Sequence, residues 1–264
     1  MTFLNKAGLI GATFSAIAMG VMAGGAQAET VKVGLAAEPY PPFAFTDASG
    51  KWQGWEVEMM DAICLTAKLE CEITPISWDG IIPALQSKKI DMIMASLSIT
   101  PDRQKVIDFS DKYYNTPAVI VGDKRIEMDA TPDAMKNKIL GVQSGTIHRK
   151  YIQKHFADMA DSVKEYQTQD EANQDLVAGR IDALQADSIA MMDFVNSPQG
   201  LACCEVKGEV AGDLDILGPG VGAGIRKGDE KLRMAVNDAI LALRDSGKYQ
   251  EISAKYFSFD PYGK

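Results

Sequence analysis

I-D-M-I-M-A-S-L-S-I-T-P-D-R, residues 90–103, is the stretch on which the fold reading turns. Its first six residues are apolar apart from Asp91, which suits a buried strand. Thr100 is a good helix cap, Pro101 suits the first helical position and Asp102 the first turn. A strand that leads through a short loop into a helix is the unit of parallel sheets with crossover helices. Arg103 falls in that first turn. A cation there opposes the helix dipole unless an anion offsets it. It reads either as half of a surface ion pair, with Asp102 or another carboxylate, or as a clamp for a ligand carboxylate helped by nearby backbone N–H groups.

The same alternation extends in both directions. T-V-K-V-G-L-A at 30–36 is a β-branched and apolar run, and E-P-Y-P-P at 38–42 is a turn-rich segment that no helix or central strand absorbs. A helical period covers 55–69, an extended run 73–77 and a second helix 80–88. The cycle restarts with I-L-G-V at 139–142, followed by helices at 148–156 and 170–178 and a strand at 181–184, so a second α/β lobe is expected. A final helix at 232–244 shows apolar positions at Leu232, Ala235, Val236, Ala239, Ile240 and Leu243 and stops at Gly247.

Residues 1–28 read as an export signal: Lys6, an apolar stretch over 7–23, and Ala26-Gln27-Ala28 ahead of Glu29, with cleavage expected after Ala28. The glycines at 8, 11, 20, 24 and 25 interrupt the roughly 20 apolar residues a membrane-spanning helix needs. No Cys follows the cleavage site directly, which leaves no residue for lipid anchoring at a new amino terminus. The remaining length suits one large domain or two smaller ones. The formal charge of −9, or −10 once Lys6 is removed, argues against nucleic acid as a partner and weakly favours cationic ligands.

All four cysteines lie beyond the signal, and export delivers them to an oxidising compartment. Cys64 and Cys71 flank the change from helix to extended chain, where a turn brings them within bonding reach. The adjacent Cys203 and Cys204 are open to a vicinal bridge, free thiols or crosswise pairing.

Tyr40 and Trp78 each follow a predicted strand, where open α/β sheets place ligands. They read as plates around a ligand side chain or, more plainly, as core or rim aromatics. Asp187 follows the predicted strand at 181–184 and reads as an ammonium partner or as the cap of the next helix. His148 and His155 have no Cys or carboxylate at metal-ligand spacing, so no metal site is expected. Ser96 and Ser98 have no activating base at a motif spacing, which leaves nucleophilic catalysis unsupported, and no cofactor is expected.

Y-P-P-F at 40–43, S-W-D-G-I-I-P-A-L at 77–85, K-K-I-D at 88–91 and S-L-S-I-T-P-D-R-Q at 96–104 occur together and in order. So do D-F-S-D-K-Y-Y at 108–114, G-V-Q-S-G-T at 141–146, A-G-R-I-D-A at 178–183 and K-Y-F-S-F-D-P-Y-G at 255–263. With these motifs the chain resembles the periplasmic polar-amino-acid-binding proteins of ABC importers, most of all the lysine/arginine/ornithine and histidine group. That resemblance implies an α/β, type II periplasmic binding fold, with two lobes joined by a two-strand hinge. Lobe one is expected at 29–114 and 221–264, lobe two at 119–212, and the hinge at 115–118 and 213–220. It also implies a monomer in the periplasm with an amino acid and an inner-membrane permease complex as partners, and it pairs Cys64 with Cys71.

By the same resemblance Arg103 takes the ligand α-carboxylate with Ser98 and backbone donors near Thr146. Asp187 and Ser96 hold the α-ammonium, and Tyr40 and Trp78 flank the side chain. The chain departs from the basic-amino-acid binders at Ala95, where a Ser is common, at Gln143, where an apolar residue can occur, and at Glu38, which stands two rather than three residues before Tyr40. A basic amino acid or an opine-like derivative is the expected ligand. The rival expectations are a periplasmic cyclohexadienyl (arogenate/prephenate) dehydratase-like enzyme, for which Glu38 is the candidate acid or base, and a receptor that signals to a membrane kinase.

Overall fold

The structure is a computed structural model that describes residues 1–3 and 30–263; the expected signal segment 1–28 lies almost entirely outside the described residues. Each lobe is built around a five-stranded sheet. In the first, β1 (Thr30–Ala36) pairs in parallel with β4 (Glu70–Ile76) and with β5 (Met92–Ile93). There β12 (Val221–Ile225) runs antiparallel to β5 and to β6 (Asp108–Tyr114), giving the order β4-β1-β5-β12-β6. The second sheet repeats the scheme. In it β8 (Ile139–Gln143) pairs in parallel with β9 (Ser162–Tyr166) and β10 (Ala183–Asp187), while β7 (Ala118–Asp123) runs antiparallel to β10 and β11 (Cys204–Glu209). A small hairpin of β2 (Phe45–Thr46) and β3 (Trp52–Gln53) stands apart.

The chain passes between the sheets at 115–117 and again over 210–220. A two-strand connection is expected there, but the second crossing carries a short helix, α8 (Leu214–Leu217). Its Ile216 and Leu217 pack on the second lobe's core, and the preceding Asp213 bonds Lys154 and His155. Gly218, at φ 75°, then turns the chain back so that Ile99 N–H donates to Gly220 O in the first lobe.

The first lobe's core centres on Trp55, fully buried at the start of α1 (Trp55–Thr66). Its ring meets Phe43, Tyr113, Tyr114, Tyr249 and Phe257 at centroid distances of 5.1–6.2 Å, and its indole N–H donates to Ser253 Oγ at 3.0 Å. Gly54 permits this entry, because its φ is 121° and an added Cβ would lie 2.3 Å from Phe43 O. From the carboxyl end of the lobe, α9 (Glu230–Asp245) buries Leu232, Val236, Ala239, Ile240 and Leu243, and α10 (Lys248–Ser253) buries Tyr249 and Ile252. Cys64 is bonded to Cys71, tying the end of α1 to β4, and Cys203 is bonded to Cys204 where α7 (Pro198–Cys203) meets β11.

Several boundaries move from their expected places. The strand expected at 90–95 is regular only at Met92–Ile93, since the chain bends at Ser96, whose φ is 53°. The strand expected at 181–184 instead spans Ala183–Asp187, because Gln185 and Asp187, polar enough to read as loop, are buried in the sheet.

Truncating Trp55 to Ala removes the hub of this aromatic cluster. A loss of about 3–5 kcal/mol in unfolding free energy is expected by denaturant titration, and a loss below about 1 kcal/mol would contradict the role given to Trp55.

Candidate functional site

Strands of both sheets end at one cleft between the lobes, where open α/β sheets bind ligands. Glu38, Tyr40, Trp78, Ala95, Ser96, Ser98 and Arg103 line it from the first lobe and Gln143, Thr146 and Asp187 from the second. Every site residue expected from the sequence therefore meets at one place. Glu56, His148 and Gln169, which sequence reasoning did not select, line it too.

Arg103 lies on α3 (Pro101–Gln104), whose cap Thr100 accepts Arg103 N–H at 3.3 Å. Its guanidinium donates from Nη1 to Ser98 O at 2.9 Å and stands 5.5 Å from the Trp78 ring centroid. Among the described residues it forms no ion pair. Asp102, the candidate surface partner, is held instead by Lys105 and Lys150. Burial pushes the Arg103 pKa down to about 10, with Asp187 pulling the other way, so the group stays cationic at neutral pH. The guanidinium therefore keeps donors directed at the cleft, which is what a bidentate carboxylate requires.

Asp187, at the end of β10, is its counterpart on the opposite wall. The Tyr40 hydroxyl donates to Oδ2 at 2.8 Å, and His148 Nε2 lies 3.2 Å from Oδ1. Burial and the Asp187 charge hold the Tyr40 hydroxyl well above its ordinary pKa, so it acts as a donor. Asp187 occupies the cap position of α6 (Ser188–Asn196), yet its side chain makes no capping bond and turns to the cleft.

Behind Ser96 sits Glu56, 1% exposed, which accepts Ser96 N–H at 2.8 Å, Ser96 Oγ–H at 3.2 Å and the Tyr113 hydroxyl. Burial raises its carboxyl pKa while those hydrogen bonds oppose the rise. They also fix Ser96 in the left-handed region, a conformation that non-glycine residues adopt mainly where surroundings impose it. With its proton committed to Glu56, Ser96 Oγ presents lone pairs to a ligand cation. Glu38 accepts Trp78 N–H at 3.2 Å and anchors the turn that carries the indole.

In the second lobe Thr146 caps α4 (Ile147–His155): its hydroxyl donates to Gln143 O at 2.7 Å and accepts Arg149 N–H at 3.1 Å. The start of α4 thereby turns backbone donors and its positive dipole end toward the cleft. Gln143 donates to Gln167 O, and Gln169, at the start of α5 (Gln169–Val177), donates to Asn173. The lobes are closed on each other. Besides Tyr40 and Asp187, Lys150 reaches Asp102 at 2.7 Å and Ser144 Oγ lies 3.5 Å from Asp79 Oδ2.

The model of bacterial extracellular solute-binding proteins, family 3, matches residues 31–259. The chain belongs to that family. This family 3 solute-binding protein is 40% identical over 234 residues to the L-arginine-binding protein of Pseudomonas aeruginosa, covering 88% of this chain and 90% of that one. It is 36% identical over 234 residues to the histidine-binding periplasmic protein of Salmonella typhimurium, again 88% of this chain and 90% of the relative. An ancestral arginine-binding protein bound to arginine superimposes with a TM-score of 0.79 at 33% identity, covering 87% of this chain and 98% of the other. The fold is the type II periplasmic binding fold of these neighbours.

Glu56 left a trace in the sequence as a carboxylate between the apolar Trp55 and Val57, and His148 as a residue two past a helix cap. Neither trace names a partner, because residues 40 or so positions away supply it.

Gly145 tests the closed arrangement. At φ 67°, its added Cβ would lie 2.7 Å from Asp79 Oδ1 and 3.2 Å from Trp78 Nε1 across the cleft. Gly145→Ala is expected to weaken solute binding by about 1–3 kcal/mol in calorimetry. Gly179→Ala, at φ 68° with nothing within 4 Å, incurs only the backbone cost and leaves affinity unchanged. Equal affinities for the two variants would contradict closure at Gly145.

Proposed function

We propose that this protein is the periplasmic, non-enzymatic binding component of an ABC importer, closing around a basic amino acid or an opine-like derivative. The observation that carries this reading is a cation without an ion-pair partner among the described residues, Arg103, facing a carboxylate, Asp187, across the cleft between the lobes. A zwitterion satisfies both. Its α-carboxylate meets Arg103, Ser98 and the backbone donors at Thr146, and its α-ammonium meets Asp187 and Ser96. Tyr40 and Trp78 flank the side chain, and Glu38, Ala95 and Gln143 set which side chain is accepted. The acidic Glu38 beside Trp78 favours a distal cation, as do the net charge of −9 and the names of the relatives.

The segments 115–118 and 213–220 act as the hinge. Since a bridging ligand has both partners only in the closed form, binding biases the hinge equilibrium. Against an enzyme stands the engagement of each cleft carboxylate: Glu38 by Trp78 N–H, Glu56 by Ser96 and Tyr113, and Asp187 by Tyr40 and His148. None is left as a free acid or base at a reacting carbon. Among the described residues no helix is long and apolar enough to cross a membrane.

A thermal-shift screen of the twenty amino acids with ornithine, citrulline, octopine and nopaline tests the ligand class. Arginine, lysine, ornithine or an opine is expected to raise the melting temperature most, because a ligand bound only to the folded state stabilises it. A larger shift with acidic or apolar amino acids refutes the basic assignment. Arg103→Ala is expected to lose about 2–5 kcal/mol of affinity for the best ligand. Near-unchanged affinity in calorimetry would remove Arg103 from the site.

A further inference from the structure

His148 lies in the first turn of α4, two residues beyond the Thr146 cap, and is 5% exposed. Its Nε2 is 3.2 Å from Asp187 Oδ1, while Tyr40 occupies Oδ2. The carboxylate assigned to the ligand ammonium is thus flanked by protein donors on both oxygens. His148 Nδ1 is buried and has no hydrogen-bond partner among the described residues. In a neutral ring donating from Nε2 that nitrogen is a bare acceptor, whereas in an imidazolium it is a buried charged N–H with nothing to receive it, which is the costlier arrangement. The geometry around the ring thus suits the Nε2-protonated tautomer, with Nδ1 as the bare acceptor.

We propose that His148 is a positioning residue that makes amino-acid capture proton-linked: neutral, it orients Asp187 for the ligand ammonium, and protonated, it competes with that ammonium for the same carboxylate. This rests on the amino-acid reading given above. With His148 neutral, the pair presents one negative charge to the ammonium. With His148 protonated, the pair is neutral and the ammonium meets a second cation. Acidification therefore weakens binding, and by linkage binding expels a proton from His148.

The surroundings reinforce that sign. Arg103 on α3 adds a positive charge to the same cleft, and Glu38, Tyr40 and Glu56 are the other titratable groups lining it. On α4 itself, Arg149, Lys150 and Lys154 pair with Glu165, Asp102 and Asp213, and Asp213, ahead of α8, also holds His155 at the far end of the helix. Among the described residues Asp187 is the sole carboxylate at ion-pair distance from His148. Glu56 is the one nearby acid whose buried carboxyl also takes up a proton more readily than usual, so it is the group to control for.

The test is calorimetry on the full chain with L-arginine and L-glutamine, from about pH 8 to about pH 5, the span in which imidazoles change charge. Both ligands are expected to bind about tenfold or more weakly at the acid end. Near pH 6 the binding heat is expected to vary with buffer ionisation enthalpy in the sense of proton release. His148→Gln flattens the profile, and His155→Gln, the other histidine, leaves it as in the parent protein. A flat profile in the parent protein overturns the inference. So does a slope confined to L-arginine, which would report repulsion of its side chain, or a slope kept in His148→Gln and lost in Glu56→Gln. If L-glutamine follows the expected profile and L-arginine does not bind, the basic-ligand assignment falls and the role of His148 stands; if neither binds, both fall.

Discussion

Arg103 and Asp187 stand on opposite walls of one cleft, and the rest of the structure serves their opposition. Each charge is partly desolvated, and burying an ion without a full partner costs several kcal/mol. Neither lobe resolves that cost alone, because Arg103 stands on α3 in the first lobe and Asp187 at the end of β10 in the second. A single ligand carrying both charges would resolve it only where the lobes meet. The first crossing between sheets is tied directly to the Asp187 wall: Ser188 N–H donates to Pro117 O at 2.8 Å, and Thr116 Oγ1 lies 3.2 Å from Ser188 Oγ. A bend in that segment would therefore move Asp187 relative to Arg103.

The first lobe's core is also the back wall of the site. Trp55 organises Phe43, and Phe43 stacks against Tyr40 at 5.8 Å, so the aromatic that reaches Asp187 is held from behind by packing. Tyr113, stacked on Trp55, sends its hydroxyl to Glu56, and Glu56 fixes Ser96 in its left-handed conformation. Two routes thus run from one tryptophan to two groups that line the cleft. Local strain at Ser96 is sustained by a hydrogen-bonded network whose members are all in the buried core or against it.

The parts of the fold that rest on local signals were legible in the sequence. Thr100-Pro101-Asp102 announced a helix start, and the helix it began put Arg103 where the dipole argument required an anion. Cys64 and Cys71 were placed by the change from helical to extended periodicity between them. Gln185 and Asp187 were misjudged as loop because polarity is a poor guide inside a sheet whose neighbours supply the burial; Gln185 pairs with Ile120 and is fully buried. Glu56 and His148 escaped for a related reason. A titratable side chain becomes part of a site through what it faces, and Ser96 and Asp187 face them only after the chain has folded. Resemblance to known binding proteins led to a set of residues that line one cleft, yet it did not lead to Glu56, His148 or Gln169, which line it too.

The contacts that cross the cleft between protein groups are few and of uneven weight. Lys150 with Asp102 and Ser144 with Asp79 lie at the exposed rim, where solvent screens an ion pair and side-chain ordering offsets much of what remains. Tyr40 with Asp187 is better sheltered, but it occupies an oxygen of the same carboxylate that an ammonium would use. The two rim contacts thus add little to holding the lobes together. Were the cleft latched by strong protein ion pairs, a ligand could neither enter nor be released, and a receptor that must do both is better served by charges that wait for the ligand than by charges that satisfy each other.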